Sequence, residues 1–198
     1  PNNFETLFSS VEKKLAPYEL KNFAFDRKVS YKVKSNWKVY LDNFLEGLHI
    51  PIAHPSLNNV IDYKSYNTKL YKNYSIQSGK LDDSKSPYAS SSNSYAYYVA
   101  IYPNILFNLA PGRFQTNMIE PINESECYVH FEYYFDSVCE KEKLEDISFS
   151  DEIQKEDILV CEKVQKNLQS IGFDSGIISD KFEAGVKHFQ NYIKKNIN

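Results

Sequence analysis

Asp42-Asn43-Phe44-Leu45-Glu46-Gly47-Leu48-His49-Ile50-Pro51-Ile52-Ala53-His54-Pro55 concentrates the chemistry of this chain and holds two of its four histidines. Neutral imidazole is the commonest metal ligand, and on a helix a carboxylate three residues earlier lies within about 60° of a histidine. Glu46 is therefore placed to hydrogen-bond the ring of His49, as the outer partner of a ligand does. Pro51 lacks a backbone donor and clashes inside a continuing helix, so a helix entering this stretch is predicted to kink or end around His49 and Ile50. That break matters, because residues five apart on an ideal helix sit about 140° from each other and cannot share one ion. A candidate metal site at the end of a helix is the reading that organises the rest.

Upstream, Asn36 is a suitable N-cap for a helix with its apolar stripe at Trp37, Leu41, Phe44 and Leu48. Before it, Phe23 to Lys34 alternates Val29, Tyr31 and Val33 against Lys28, Ser30, Lys32 and Lys34, the pattern of a half-buried strand. Pro1 to Lys21 spaces Phe4, Leu7, Phe8, Val11 and Leu15 by threes and fours, which predicts one or two turns of helix that connect or dock.

Downstream, Val60 to Ser78 reads as one or two strands. Gly79 to Ser94, rich in serine with Pro87, has almost nothing apolar to bury and is expected to be a mobile loop. Tyr95 to Ile101, Ile105 to Leu109, Phe114 to Glu120 and Glu126 to Asp136 follow as closely spaced strands of an antiparallel meander. In the last, Val129, Phe131, Tyr133 and Phe135 oppose Tyr128, His130, Glu132 and Tyr134, so one ring-bearing face should cover a helix or a pocket. Glu140 to Asp146 is expected to be a solvated connection. Two helices close the chain. The first, about Asp151 to Ile171, has its stripe at Ile153, Val160, Val164 and Leu168, with Asp157 pointing inward by helical angle. The second, about Ser179 to Lys195, is capped by Ser179 and is expected to bury Phe182, Val186, Phe189 and Ile193.

Composition narrows the class. At 198 residues the chain suits a single domain able to bury a core without staples. A net charge of −3 supplies no basic field for nucleic acid or an anionic membrane surface, so the expected partner is a small molecule. Cys127, Cys139 and Cys161 are odd in number and widely spaced, as suits reduced thiols in a cytoplasmic protein. No segment approaches a membrane span and no export signal is visible.

An ionised carboxylate in a core costs several kcal/mol unless it is paired or binds a metal. Asp157 with His49 and His54 would make a facial triad, which suits iron(II); zinc could use the same set. Blander readings compete: paired histidines are often decoration, and Asp157 could pair with Lys163 or Lys187. His130 and His188 are read as structural or exposed. Sixteen tyrosines could signal an aromatic cage for a quaternary ammonium, or only compositional bias.

Asn36-Trp37-Lys38, then Asp42-Asn43-Phe44 through His49 and His54-Pro55, resemble the catalytic domain of Rieske-type non-haem iron oxygenase alpha subunits. Tyr102-Pro103-Asn104 to Asn108, Glu120-Pro121, Glu156-Asp157 with Cys161-Glu162-x-Val164-Gln165, and Glu183 to Phe189 extend the resemblance in the right order over nearly the whole chain. The resemblance implies an α+β helix-grip fold, a curved antiparallel sheet wrapped around a long C-terminal helix. It implies that His49, His54 and Asp157 bind a mononuclear iron(II), and that Glu46 is the bridging carboxylate through which electrons arrive. Glutamate at that position resembles the branch of choline, glycine betaine and carnitine oxygenases.

By the same resemblance, residues 1–22 are expected to connect to an N-terminal domain and residues 23–198 to form the catalytic domain. The C-x-H and C-x-x-C-x-x-H type motifs of a two-iron, two-sulfur Rieske cluster do not occur in this sequence. The implied cluster would come from another segment or a neighbouring subunit, with a reductase, dioxygen and a homotrimer of the full-length protein as further partners. The implied reaction is hydroxylation of a small organic substrate, an aromatic ring or a quaternary amine. Its competitors are a ligand-binding module of the same fold without redox activity, and a zinc hydrolase using the same triad with Glu46 as base.

Overall fold

The structure, a computed structural model, describes residues 4–82 and 94–197; most of the predicted mobile loop, residues 83–93, lies outside them. Among the described residues seven strands form one antiparallel sheet in the order β1-β7-β6-β5-β4-β3-β2. They are β1 (Ala24–Val33), β2 (Ile61–Tyr71), β3 (Tyr74–Leu81), β4 (Tyr95–Ile101), β5 (Ile105–Ala110), β6 (Arg113–Asn123) and β7 (Glu126–Phe135). From β2 to β7 the sheet is a meander, and β1 closes on β7 with Val29, Tyr31 and Val33 opposite Phe131, Val129 and Cys127. Gly79, Lys80 and Leu81 belong to β3, paired with β2 and β4, and not to the loop expected of them.

Among the described residues six α-helices pack with the sheet: α1 (Phe4–Leu15), α2 (Trp37–Phe44), α3 (Ile50–Ala53), α4 (Pro55–Val60), α5 (Glu140–Leu168) and α6 (Ala184–Ile197). The long helix gripped by the sheet is α5, which makes this the α+β helix-grip architecture. Among the described residues no helix is long and apolar enough to cross a membrane. α1 runs for 12 residues, longer than the one or two turns expected, and buries Val11 and Leu15 against Tyr74, Val99, Ile101, Phe107 and Leu109 on the outer face. The main core lies on the other face, where Leu41, Leu45, Cys161 and Phe189 meet Val33, Leu106, Ile119, Val129 and Phe131.

The ends of α5 differ from the expectation. Glu140 to Asp146 is its first two turns: the Cys139 backbone N–H donates to Glu142 Oε2 at 3.0 Å, a helix-starting cap. Glutamate and lysine are good helix formers, and Lys141 and Glu145 face each other one turn apart. The inner face is also more polar than predicted. Asp146, Ile147, Ser150, Gln154, Cys161 and Gln165 are buried, whereas Val164 and Leu168 are about 40% exposed. Asp157 lies on that inner face, as its helical angle required.

Helix α6 starts five residues later than expected. Ser179 still organises the turn before it, accepting from Glu183 N–H at 2.8 Å and donating its own N–H to Glu183 Oε2 at 2.7 Å. Val186 and Phe189 are buried, but Phe182, ahead of the helix, is 51% exposed.

Cross-strand partners face the same side of a sheet. Gln77, Tyr98, Asn108, Gln115 and Tyr133 are successive partners across β3 to β7, so one row of the inner face is polar. This row and the polar face of α5 bound the space into which the candidate ligands project.

Candidate metal centre

α2 begins where Asn36 Oδ1 accepts the Lys38 N–H at 3.0 Å. It stops at Phe44, well before Pro51, so the proline does not break a helix here; it sits in the first turn of the new helix α3, where its missing N–H costs nothing. The intervening turn is held by Glu46, whose Oε2 accepts the backbone N–H groups of Leu48 and His49. Gly47 is required there, since a Cβ would stand 2.8 Å from the Tyr66 ring. Tyr66 in turn donates to Gln77 Oε1 at 3.0 Å, and Gln77 Nε2 donates to the Phe44 carbonyl at 2.6 Å, tying the end of α2 to β2 and β3.

The break expected between the two histidines is not found: His49 and His54 cap the two ends of the single turn α3, and their imidazoles meet with ring centres 4.9 Å apart and nearly perpendicular. α5 delivers Asp157 between them, its Oδ1 3.1 Å from His54 Nε2 and 3.7 Å from His49 Nε2. Among the described residues these three are the one cluster of three or more His, Cys, Asp or Glu with ligand atoms within 4.8 Å of one another.

The outer nitrogens are both engaged: His49 Nδ1 donates to Glu46 Oε1 at 2.5 Å and His54 Nδ1 to Glu156 Oε2 at 2.7 Å. Asn43 Nδ2 donates to Asp157 Oδ1 at 2.6 Å. With each Nδ1 carrying its proton, the two Nε2 atoms turn their lone pairs toward a carboxylate oxygen, a set that needs a cation between them. Burial opposes protonation of His54, but Asp157 and Glu156 outweigh it and raise its pKa, the response expected where negative charge converges. The donor set thus fits a divalent metal held by two imidazoles and one carboxylate.

The site opens into a cavity of about 110 Å³ whose wall includes Phe44, Tyr98, Phe131 and Phe149 with Asn108 and Arg113. Arg113 is ion-paired at 3.1 Å with Asp146, which is 4% exposed. Burial pushes the Tyr98 phenol up to about 12, so it stays protonated.

Sequence reasoning missed the roles of Asn43 and Glu156, although both adjoin or fall within the stretches singled out. It also missed Gln77, Tyr66 and Arg113, for which no linear signal exists. The remaining histidines stay away from the cluster. His130 bridges Ser30 and Glu120 at 2.8 Å each, and His188 Nδ1 lies 3.1 Å from the Tyr102 hydroxyl. Cys127 and Cys161 are buried free thiols, with the Cys127 thiol pushed up to about 11 by burial.

Residues 20–198 match the family model described as "Ring hydroxylating alpha subunit (catalytic domain)". The chain is 30% identical over 175 residues to the chloroplastic choline monooxygenase of Arabidopsis thaliana, covering 84% of this chain and 40% of that protein. It is 26% identical over 178 residues to the carnitine monooxygenase oxygenase subunit of Acinetobacter pittii, covering 82% of this chain and 47% of that protein. It spans a little under half the length of these curated relatives. Among solved structures, a quaternary ammonium Rieske monooxygenase superposes with a TM-score of 0.87 at 20% identity, over 96% of this chain and 56% of that one. Dicamba monooxygenase superposes with a TM-score of 0.66 at 14% identity, over 88% of this chain and 58% of that one. At these identities the superpositions speak for the fold.

Proposed function

Because the chain belongs to the ring-hydroxylating alpha-subunit family, as its catalytic domain, we propose that it is the hydroxylating domain of a Rieske-type oxygenase acting on a small quaternary amine. His49, His54 and Asp157 are assigned as the ligands of a mononuclear iron(II). The observation that carries this reading is their convergence within 4.8 Å with both outer imidazole nitrogens already tied to carboxylates. Iron(II) held by these three residues would supply the redox chemistry of dioxygen activation.

The chain's own residues do the rest. Glu46 and Glu156 accept at Nδ1 and hold both imidazoles in the tautomer that presents Nε2, while Asn43 orients Asp157. Glu46, 13% exposed, is assigned as the bridging carboxylate that faces a histidine-ligated two-iron, two-sulfur cluster. That cluster would come from a Rieske segment of the parent chain or a neighbouring subunit, in a homotrimer served by a reductase. The cavity wall orients the substrate and excludes bulk water.

Two features favour a cationic substrate. The wall carries the aromatic rings of Phe44, Tyr66, Tyr98, Phe131 and Phe149, and the charge of Arg113 is taken up by Asp146. The relatives named above are choline and carnitine monooxygenases. The zinc-hydrolase and redox-silent readings draw no support from these matches.

Anaerobic iron(II) titration is expected to give about one site per chain, lost in Asp157→Ala and His54→Ala and kept in Glu46→Gln, whose amide oxygen still accepts from His49 Nδ1 although the Leu48 and His49 N–H groups lose their acceptor. Iron binding undiminished in both alanine variants would sink the triad.

A further inference from the structure

The inner-face polar row contains a hydrogen-bond direction that can be traced from a fixed starting point. A guanidinium only donates, so Arg113 Nη2, 2.6 Å from Gln115 Oε1, fixes which end of that amide is the oxygen. Gln115 Oε1 also receives Asn108 Nδ2 at 3.1 Å. Asn108 cannot be turned round, because its oxygen would then face another oxygen. Its Oδ1 is therefore the end turned away from Gln115, buried and without a hydrogen-bond partner among the described residues. Asn108 lies on the wall of the cavity that contains His49, His54 and Asp157. Gln154, 2% exposed and on the same wall, uses Oε1 to accept from the Tyr40 hydroxyl at 2.6 Å and leaves Nε2 without a partner among the described residues.

We propose that Asn108 is a substrate-binding residue whose Oδ1 accepts a hydrogen bond from an O–H or N–H group of the substrate, selecting donor-bearing substrates over carboxylate-terminated ones. A buried acceptor without a partner is costly, and a ligand donor relieves that cost. A carboxylate brought to the same place sets oxygen against oxygen, and Arg113 is already engaged by Asp146 and Gln115. A hydroxyl group suits the wall best, because it donates to Asn108 and is able to accept from a donor such as Gln154. The inference rests on the proposed oxygenase site for the cavity being the substrate pocket, but it does not depend on whether the substrate is an amine.

The test uses matched ligands that differ only in this group. The full-length protein, loaded with iron(II) and kept anaerobic, is titrated calorimetrically with choline and its methyl ether, with phenol and anisole, and with glycine betaine. The hydroxyl compound of at least one pair is expected to bind about tenfold or more tighter than its methyl ether. Choline, where it binds, is expected to exceed glycine betaine. Asn108→Leu is expected to bring each pair together while still taking up one iron(II) per chain. A preference confined to phenol over anisole supports the role of Asn108 and removes the quaternary-amine reading. Equal binding within both pairs, tighter binding of glycine betaine, no binding by any of the five, or a preference that survives in Asn108→Leu each overturns the proposal. The comparison within the unmodified protein decides the matter even if the leucine variant fails to fold.

Discussion

At the residue scale, the site depends on carboxylates that touch ligands rather than on the ligands alone. Glu156 is the case that can be isolated, since it meets His54 on the side away from Asp157. Replacing it with alanine leaves the three ligands in place but frees His54 Nδ1, so the ring loses both its tautomer control and its added basicity. Losses of this kind cost about 10- to 100-fold in metal affinity. Glu156→Ala is therefore expected to weaken iron(II) binding by at least about tenfold in competition with a chromophoric chelator, and Glu156→Gln, which keeps an acceptor, by less. Equal affinity of the alanine variant and the parent would reduce Glu156 to a bystander.

At the scale of elements, the turn between α2 and α3 sets Glu46 against His49 and leads into the single helical turn that carries His49 and His54 at its two ends. Its geometry is set from outside: α6 crosses the end of α2 so closely that a Cβ on Gly185 would come 2.5 Å from the Leu45 carbonyl oxygen. A backbone carbonyl cannot rotate away as a side chain would, so Gly185→Ala has to push α6 off the end of α2. Overpacking of this sort costs about 1–3 kcal/mol. Chemical denaturation is expected to show a loss of that order. Because Leu45 immediately precedes Glu46, iron(II) affinity is expected to fall with it; a variant as stable as the parent would mean that the crossing is looser than the geometry implies.

At the scale of the whole molecule, the same crossing carries a buried titration. Asp42 on α2 accepts from Gln190 Nε2 of α6 at 3.1 Å, and burial raises its pKa from 3.8 to about 6. A carboxyl whose folded pKa lies above its unfolded value stabilises the fold while it is protonated. That contribution is complete below about pH 4 and is lost as the pH rises through about 6. Asp42→Asn removes the charge and hence the loss. Thermal unfolding followed from pH 4 to 7 is expected to show the variant gaining on the parent by on the order of 2 kcal/mol as the pH rises. A constant difference across that range would contradict a buried, titrating Asp42.

The elements were largely legible because each announces itself locally. Alternation marked β1 and β4 to β7, Asn36 marked the start of α2, and Asp157 was set inward by helical angle alone. The errors arose where solvent-facing chemistry misled. Glu140 to Asp146 looked like a connection because it is charged, yet its charges up to Glu145 decorate the outer side of a helix while Asp146 turns inward to Arg113. Val164 and Leu168 looked like core because they are apolar, yet tertiary packing turned the face of Gln154, Cys161 and Gln165 inward instead.

What the sequence alone determined was therefore most of the strands and long helices and the ligand candidates. These follow from period, capping and the bond angles of a helix, all of which act over a few residues. Only the tertiary structure decided that the two histidines cap one turn of helix, that Glu156 holds the imidazole of His54, and which end of Asn108 is left without a partner. Those facts depend on contacts between residues far apart in the chain, such as His54 with Glu156 and the end of α2 with Gln77 and Gly185, whose pairing no local pattern encodes.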